Sequence, residues 1–136
     1  MRRLLATALA AATTAVVTTL CAAAAPLPGV APGTASLHLT RVHASEGRQI
    51  MSGVRLDCPA GASAAHPYAR EACRDVRSAA GDLDRLPGRT FGYCSNEPGT
   101  VTVTADGAYE GRPVHWTHTY ADDCVRTLAT GSVFDF

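Results

Sequence analysis

The sequence predicts an α+β fold: a small two-layer sandwich of one antiparallel sheet (about five strands) with one main helix and one short helix, and two disulfides. Three observations carry this prediction. Apolar and polar residues alternate with period two in several separate runs, which is the signature of half-buried strands. One segment, starting at Pro67, switches to helical spacing. Five cysteines occur among 136 residues, and four of them lie in the part of the chain that carries the strand and helix signals. The length gives one domain, and the formal charge of zero with 18% charged residues excludes a strongly basic nucleic-acid binder. It is also too short for a multidomain enzyme or a large α/β hydrolase.

The elements follow in order. Met1-Arg2-Arg3 is a charged start, and Leu4 to Leu20 is an uncharged run of Leu, Ala, Val and Thr. This is the pattern of a secretory signal peptide, with cleavage expected after about residue 24 or 35. Residues 1–35 are therefore read as signal and flexible linker, and 36–136 as the folded domain, secreted and extracellular. Cys21 falls in the signal, preceded by Leu20 where a lipid-anchored cysteine is normally preceded by a small residue. Without Arg2 and Arg3, ten arginines face twelve carboxylates, and there is no lysine. A mildly acidic domain makes nucleic acid and, after signal removal, membrane poor partners.

Leu37 to Val42 alternates as a first strand, a polar break follows at Ala44 to Gln49, and Ile50 to Leu56 forms a second strand ending at Cys58-Pro59. Pro67 suits the first turn of a helix. Ala69, Ala72, Cys73, Val76 and Ala80 recur at helical spacing, Arg70, Arg74 and Arg77 face elsewhere, and Gly81 closes the helix. This apolar face is mostly alanine, so it must lie close against the sheet. The strongest strand signal is Val101 to Ala105, with return through Val114 to Tyr120. Asp106-Gly107 is the expected turn, with Glu110-Gly111 able to shift it. Val114, Trp116, His118 and Tyr120 share one face of the return strand, and His115, Thr117 and Thr119 the other. A short helix is expected near Ala121 to Leu128, and Val133 to Phe136 as a final short strand. Cys58, Cys73, Cys94 and Cys124 give two disulfides by the even-number rule for an exported chain, with three pairings open.

No catalytic or metal constellation emerges, and no cofactor is expected. Gly61-Ala62-Ser63-Ala64-Ala65 lacks the second glycine of a nucleophile elbow. His115 and His118 are three apart, which puts them on opposite faces of a strand. No Cys-x-x-Cys pair supports zinc. Asp82 and Asp84 read as a turn after the helix, without the ligand series of a calcium loop. What is left is Cys94-Ser95-Asn96-Glu97-Pro98-Gly99-Thr100, a polar loop that leaves a cysteine and runs into a strand. It contains the chain's single asparagine. Such a segment is either a plain surface turn or an exposed loop held rigid for a partner.

These residues resemble the Streptomyces subtilisin inhibitor-like family of secreted serine protease inhibitors. The likeness is carried by Cys58 and Cys73 fifteen apart, Ala65-His66-Pro67, Gly81-Asp82-Leu83, and Cys94 and Cys124 thirty apart. Glu110-Gly111-Arg112, Val103 to Gly107 and the terminal Gly131-Ser132-Val133-Phe134-Asp135-Phe136 continue it, over essentially the whole mature chain. The resemblance implies Cys58–Cys73 and Cys94–Cys124 bridges, and a protein that is not an enzyme. It implies that a loop of Cys94, Ser95, Asn96, Glu97, Pro98 and Gly99 enters the cleft of an extracellular subtilisin-like or trypsin-like serine protease as a substrate would. The reactive bond is then Asn96–Glu97, with Asn96 facing the primary specificity pocket. A homodimer formed through the sheet face opposite the helix is implied as well. The chain departs from the family at this loop. Asn96 stands where large apolar or basic residues are usual, which points to a protease that accepts a small polar residue. Pro98 lacks a backbone N–H that substrate-like binding uses, so the alternative is a secreted, non-inhibitory binding protein on the same scaffold.

Overall fold

The alternating runs assemble into one sheet in a computed structural model that describes residues 29–95 and 98–136. In chain order the elements are β1 (Ala35–Ser45), β2 (Arg48–Cys58), α1 (Ala69–Ser78), a short 3-10 turn (Leu83–Arg85), β3 (Thr100–Tyr109), β4 (Arg112–Tyr120) and α2 (Asp123–Thr130). The sheet order is β2-β1-β3-β4, with every neighbouring pair antiparallel. Period two sorts the side chains. Leu37 and Leu39 of β1, Leu56 of β2, and Val101, Val103 and Ala105 of β3 are buried on the helix side. Burying such a side chain fully is worth about 1.5–3 kcal/mol.

The alanine face of α1 closes over this layer. Ala69, Ala72, Cys73 and Val76 are buried, and the Cys58–Cys73 disulfide fastens the helix to the end of β2. Small side chains let the helix approach the sheet, and the covalent tie offsets the little area they bury. The helix ends two residues before the expected Ala80. The Ala80 and Gly81 amides donate to the carbonyls of Arg77 and Val76, each at 3.0 Å, with Ala80 at φ 52. This is the paired closure of a Schellman motif, in which alanine, not glycine, holds the left-handed position. Ala80 is consequently exposed, and Ala79 takes the buried place.

Two other expectations are corrected. The β3–β4 turn is at Glu110-Gly111, and Asp106-Gly107 lies inside β3. Gly107 is there for close approach, since a Cβ on it would overlap the Ser36 carbonyl of β1. Glu46-Gly47 and Glu110-Gly111 make both hairpin turns with φ of 50 and 74, and of 48 and 74. These are the two left-handed central residues that suit strand twist in a two-residue hairpin. The sheet also has four strands, not five, because Val133 to Phe136 does not pair. Val133 and Phe134 are fully buried, but their carbonyls are taken by side chains: His66 Nε2 donates to Val133 O at 3.0 Å and Arg126 Nη1 to Phe134 O at 2.7 Å. The Val133 amide turns back to Thr130 O at 3.3 Å, so no ladder partner is left for it.

Candidate functional site

The loop that follows Cys94 grows out of an arm, residues 86–95, that runs along α2. Leu86 packs on the core. Gly88, at φ 61, lies so close to α2 that a Cβ would overlap the Leu128 carbonyl. Next, the Arg89 amide donates to Leu128 O at 2.8 Å, and its guanidinium reaches the Asp135 carboxylate at 2.6 Å. Gly92 lies against the end of the Leu128 side chain. Cys94 is then joined to Cys124 in the first turn of α2, with Cα atoms 5.6 Å apart. These successive anchors fix the arm as far as Cys94.

The far side of the loop is fixed differently. Pro98 is exposed, but Gly99, at φ 112, sits against the end of β1. A Cβ there would lie 2.6 Å from Ala44 O and 2.9 Å from His43 Nε2. Thr100 then opens β3 opposite Ala44. One end of the loop is thus tied to α2 and the other to the central strand. Asn96 and Glu97, the expected reactive bond, lie outside the described residues.

α2 bears on the site because it carries Cys124 and Leu128. Asp122 caps it, accepting from the Val125 amide at 2.7 Å. Arg126, whose side chain is 2% exposed, holds it to the chain end. Besides the Phe134 carbonyl, Arg126 bonds the Asp123 carboxylate through Nε at 3.1 Å and Nη2 at 2.9 Å to both oxygens. Burial pushes the Asp123 carboxyl up, but the hydrogen bond and charge of Arg126, with Arg41 and His43 farther off, outweigh it and hold the group below its ordinary 3.8. Sequence reasoning did not single out this arginine. Its i,i+3 spacing from Asp123 is a signal that could have found the pair.

The rejected chemistries are located as well. His115 lies on the outer sheet face with Nδ1 2.9 Å from Asp106, whereas His118 lies on the inner face between Trp116 and Tyr120. Asp84 accepts from Trp116 Nε1 at 2.8 Å and Asp82 caps the 3-10 turn. Cys94, Asp122 and Cys124 come together with ligand-like spacing. The two sulfurs are bonded to each other and Asp122 is engaged as a cap, so this trio offers no thiolate to a metal. A surface hollow of about 430 Å³ lies at the start of α1 and includes His66 and Glu71. His66 is structural: Nδ1 accepts from the Tyr68 amide at 3.0 Å, which leaves Nε2 to donate to Val133 O. Both nitrogens are used, and burial holds the imidazole below its ordinary 6.5, with the Val133 carbonyl and Asp135 pulling weakly the other way.

Comparison with known proteins follows the same lines. The family model described as subtilisin inhibitor-like matches residues 31–122. Protease inhibitor SIL-V2 of Streptomyces orinoci is 41% identical over 64% of this chain and 81% of its own. Subtilisin inhibitor-like protein 2 of Streptomyces rochei is 33% identical over 82% of this chain and 99% of its own. Among solved structures, that of Streptomyces caespitosus sermetstatin in complex with Bacillus licheniformis subtilisin superposes with a TM-score of 0.60 at 31% identity, covering 76% of this chain and all of the other. The cysteine spacings, the helix on a four-stranded sheet and a family match that runs from the residues before β1 to the cap of α2 agree, and the chain belongs to the subtilisin inhibitor-like family.

Proposed function

We propose that the protein is a secreted inhibitor of an extracellular serine protease, acting by substrate-like insertion of the loop Cys94 to Gly99, with Asn96–Glu97 as the reactive bond. The observation that supports this reading is the double fixation of the loop, by the Cys94–Cys124 bridge on one side and by Gly99 against β1 on the other. A loop whose two ends are already anchored has less entropy to lose on binding. If the bond is cut, both new ends stay in place and the peptide can reseal. The structure that includes a subtilisin–inhibitor complex makes a subtilisin-like protease the first partner to test.

Titration of the protein against subtilisin-, trypsin- and chymotrypsin-like proteases tests the reading. Stoichiometric inhibition of one of them is expected, and Asn96→Lys should shift inhibition toward trypsin. Rapid cutting of both forms in the loop, with no inhibition, would favour the alternative that Pro98 suggests, a secreted non-inhibitory binding protein.

Two subsidiary proposals complete the picture. Of the two processing sites, cleavage near residue 24 fits better than after residue 35. The Gly33 amide donates to the Glu110 carboxylate at 2.6 Å, Thr34 O accepts from the Glu110 amide at 2.8 Å, and Ala35 is buried, so these residues belong to the fold. Mass spectrometry of the exported protein decides between the two. The homodimer would use the outer face of the sheet, where the hydroxyls of Thr40 and Thr104 bond each other and those of Thr102 and Thr119 do so at 2.8 Å. Sedimentation measures it.

A further inference from the structure

We propose that His38, Asp106 and His115 form a surface site for a divalent ion of the zinc type, with one ligand each from β1, β3 and β4. The strand register builds it. Asp106 pairs with His38 on one side and with His115 on the other, so the three residues make one row across neighbouring strands. Residues directly opposite one another point to the same side of a sheet. Here it is the outer side, since Leu37 and Leu39, which flank His38, are buried against the helices. Adjacent strands lie about 4.8 Å apart, which puts the two histidine backbones about 10 Å from each other with the carboxylate midway. Two imidazoles and one carboxylate suit zinc, nickel or copper, whereas calcium and magnesium take oxygen ligands. β1 and β3 are far apart in sequence, so no local spacing announces the site. The proposal is independent of the reading of the loop.

Half of the site is already in contact, because His115 Nδ1 lies 2.9 Å from Asp106 Oδ1. Two ligand atoms each about 2.1 Å from a tetrahedral ion are about 3.4 Å apart, so the pair opens by about 0.5 Å to admit one. The proton that Nδ1 shares with the carboxylate is then released to solvent. A turn of the His38 side chain about χ1 completes the set. The His38 ring is exposed and rests over Gly53, its Cε1 3.8 Å from where a Cβ would stand, so no side chain there holds it back. The nearby positive charge is engaged elsewhere. Arg55, next in the row on β2, bonds the Asp57 carboxylate at 2.8 Å and Ser36 Oγ at 2.7 Å. The adjoining row of Thr40, Thr104 and Thr117 adds hydroxyls and no competing charge. Continuous ladders fix the ligand backbones, so binding has only side chains to order. Three protein ligands leave a tetrahedral ion one position for water.

The test is calorimetric titration of zinc chloride into the exported protein after dialysis against a chelator, with melting temperature and sedimentation followed in parallel. One ion per chain is expected, with a melting temperature that rises with zinc concentration and does not respond to calcium or magnesium. His38→Asn, Asp106→Asn and His115→Asn should each weaken zinc binding at least about 10-fold, the lower end of what even groups outside the coordination sphere contribute. All three positions are exposed, and a melting temperature near the parent's without zinc confirms that the variants fold. His118→Asn, on the opposite face of β4, should bind zinc as the parent does. Absence of zinc binding by the parent overturns the site, and so does binding that none of the three variants weakens. Loss at Asp106 and His115 with none at His38 would remove β1 from the set and overturn it as stated. One ion per two chains, bound only as the chains associate, would place the ligands on two copies and overturn it as well.

Discussion

Replacing Arg126 by methionine should destabilise the domain by about 1–3 kcal/mol. The figure is assembled from what the guanidinium touches. Loss of its bond leaves the carbonyl of the fully buried Phe134 without a donor, at about 1–3 kcal/mol. The Asp123 side chain is 42% exposed and regains water, so the lost ion pair adds less than about 1 kcal/mol. Relief of burying a charge that is 2% exposed works in the other direction. Methionine keeps most of the side-chain volume, whereas Arg126→Ala adds a cavity and should cost about 3–5 kcal/mol. At about 4–8 °C per kcal/mol for a domain near 100 residues, the methionine variant should melt roughly 5–20 °C lower. Circular dichroism at neutral pH measures this directly. Because Arg126 ties α2 to the chain end and α2 carries Cys124 and Leu128, the variant should also be cut faster in the loop by an excess of protease. An Arg126→Met protein that melts at or above the parent temperature would show that desolvation outweighs the bonds, and would refute the reasoning.

Three further outcomes follow from the same structure. Cys94→Ser with Cys124→Ser opens a loop of 30 residues, which on the chain-entropy model is worth about 3–4 kcal/mol; it should turn a resistant loop into one that is cleaved outright, as read by gel and mass spectrometry. Ala80→Gly relieves a left-handed alanine at φ 52 and should raise stability by about 1 kcal/mol, and a lower melting temperature would contradict the Schellman closure. His66 is favoured as the neutral imidazole, so its contribution is present above pH 6.5 and is lost as pH falls below that value through the depressed folded pKa. Melting temperature should decline from pH 7 toward pH 5, and His66→Asn should flatten that slope at a lower overall stability. The Asp123 contribution is lost only in more acid solution, below its ordinary 3.8, so the two windows are separable.

Much of the fold could be read from local pattern. Alternation at Leu37 to Val42 and Val101 to Ala105, helical spacing from Ala69 to Val76, and the even count of cysteines depend on near neighbours in sequence, and these elements formed where expected. The errors arose where a distant contact decided the outcome. Asp106-Gly107 has the composition of a turn, but the glycine is needed because Ser36, some seventy residues earlier, presses against it. Val133 to Phe136 has strand-like residues, yet two side chains from elsewhere, His66 and Arg126, claim the carbonyls that a ladder would have used.

The candidate site divides in the same way. Residue identity and cysteine spacing pointed to Cys94 to Gly99, because an exposed polar loop leaving a disulfide is visible in one dimension. Sequence alone also determined the export signal pattern, the absence of a catalytic constellation and the resemblance to a family of inhibitors. Only the tertiary structure decided how the loop is held: by Leu128 beneath Gly88 and Gly92, by Asp135 on Arg89, by the end of β1 beneath Gly99, and by a buried Arg126 that fixes α2 itself. Those restraints join residues tens of positions apart, and excluded volume and the pairing of buried polar groups, which no local pattern encodes, select them.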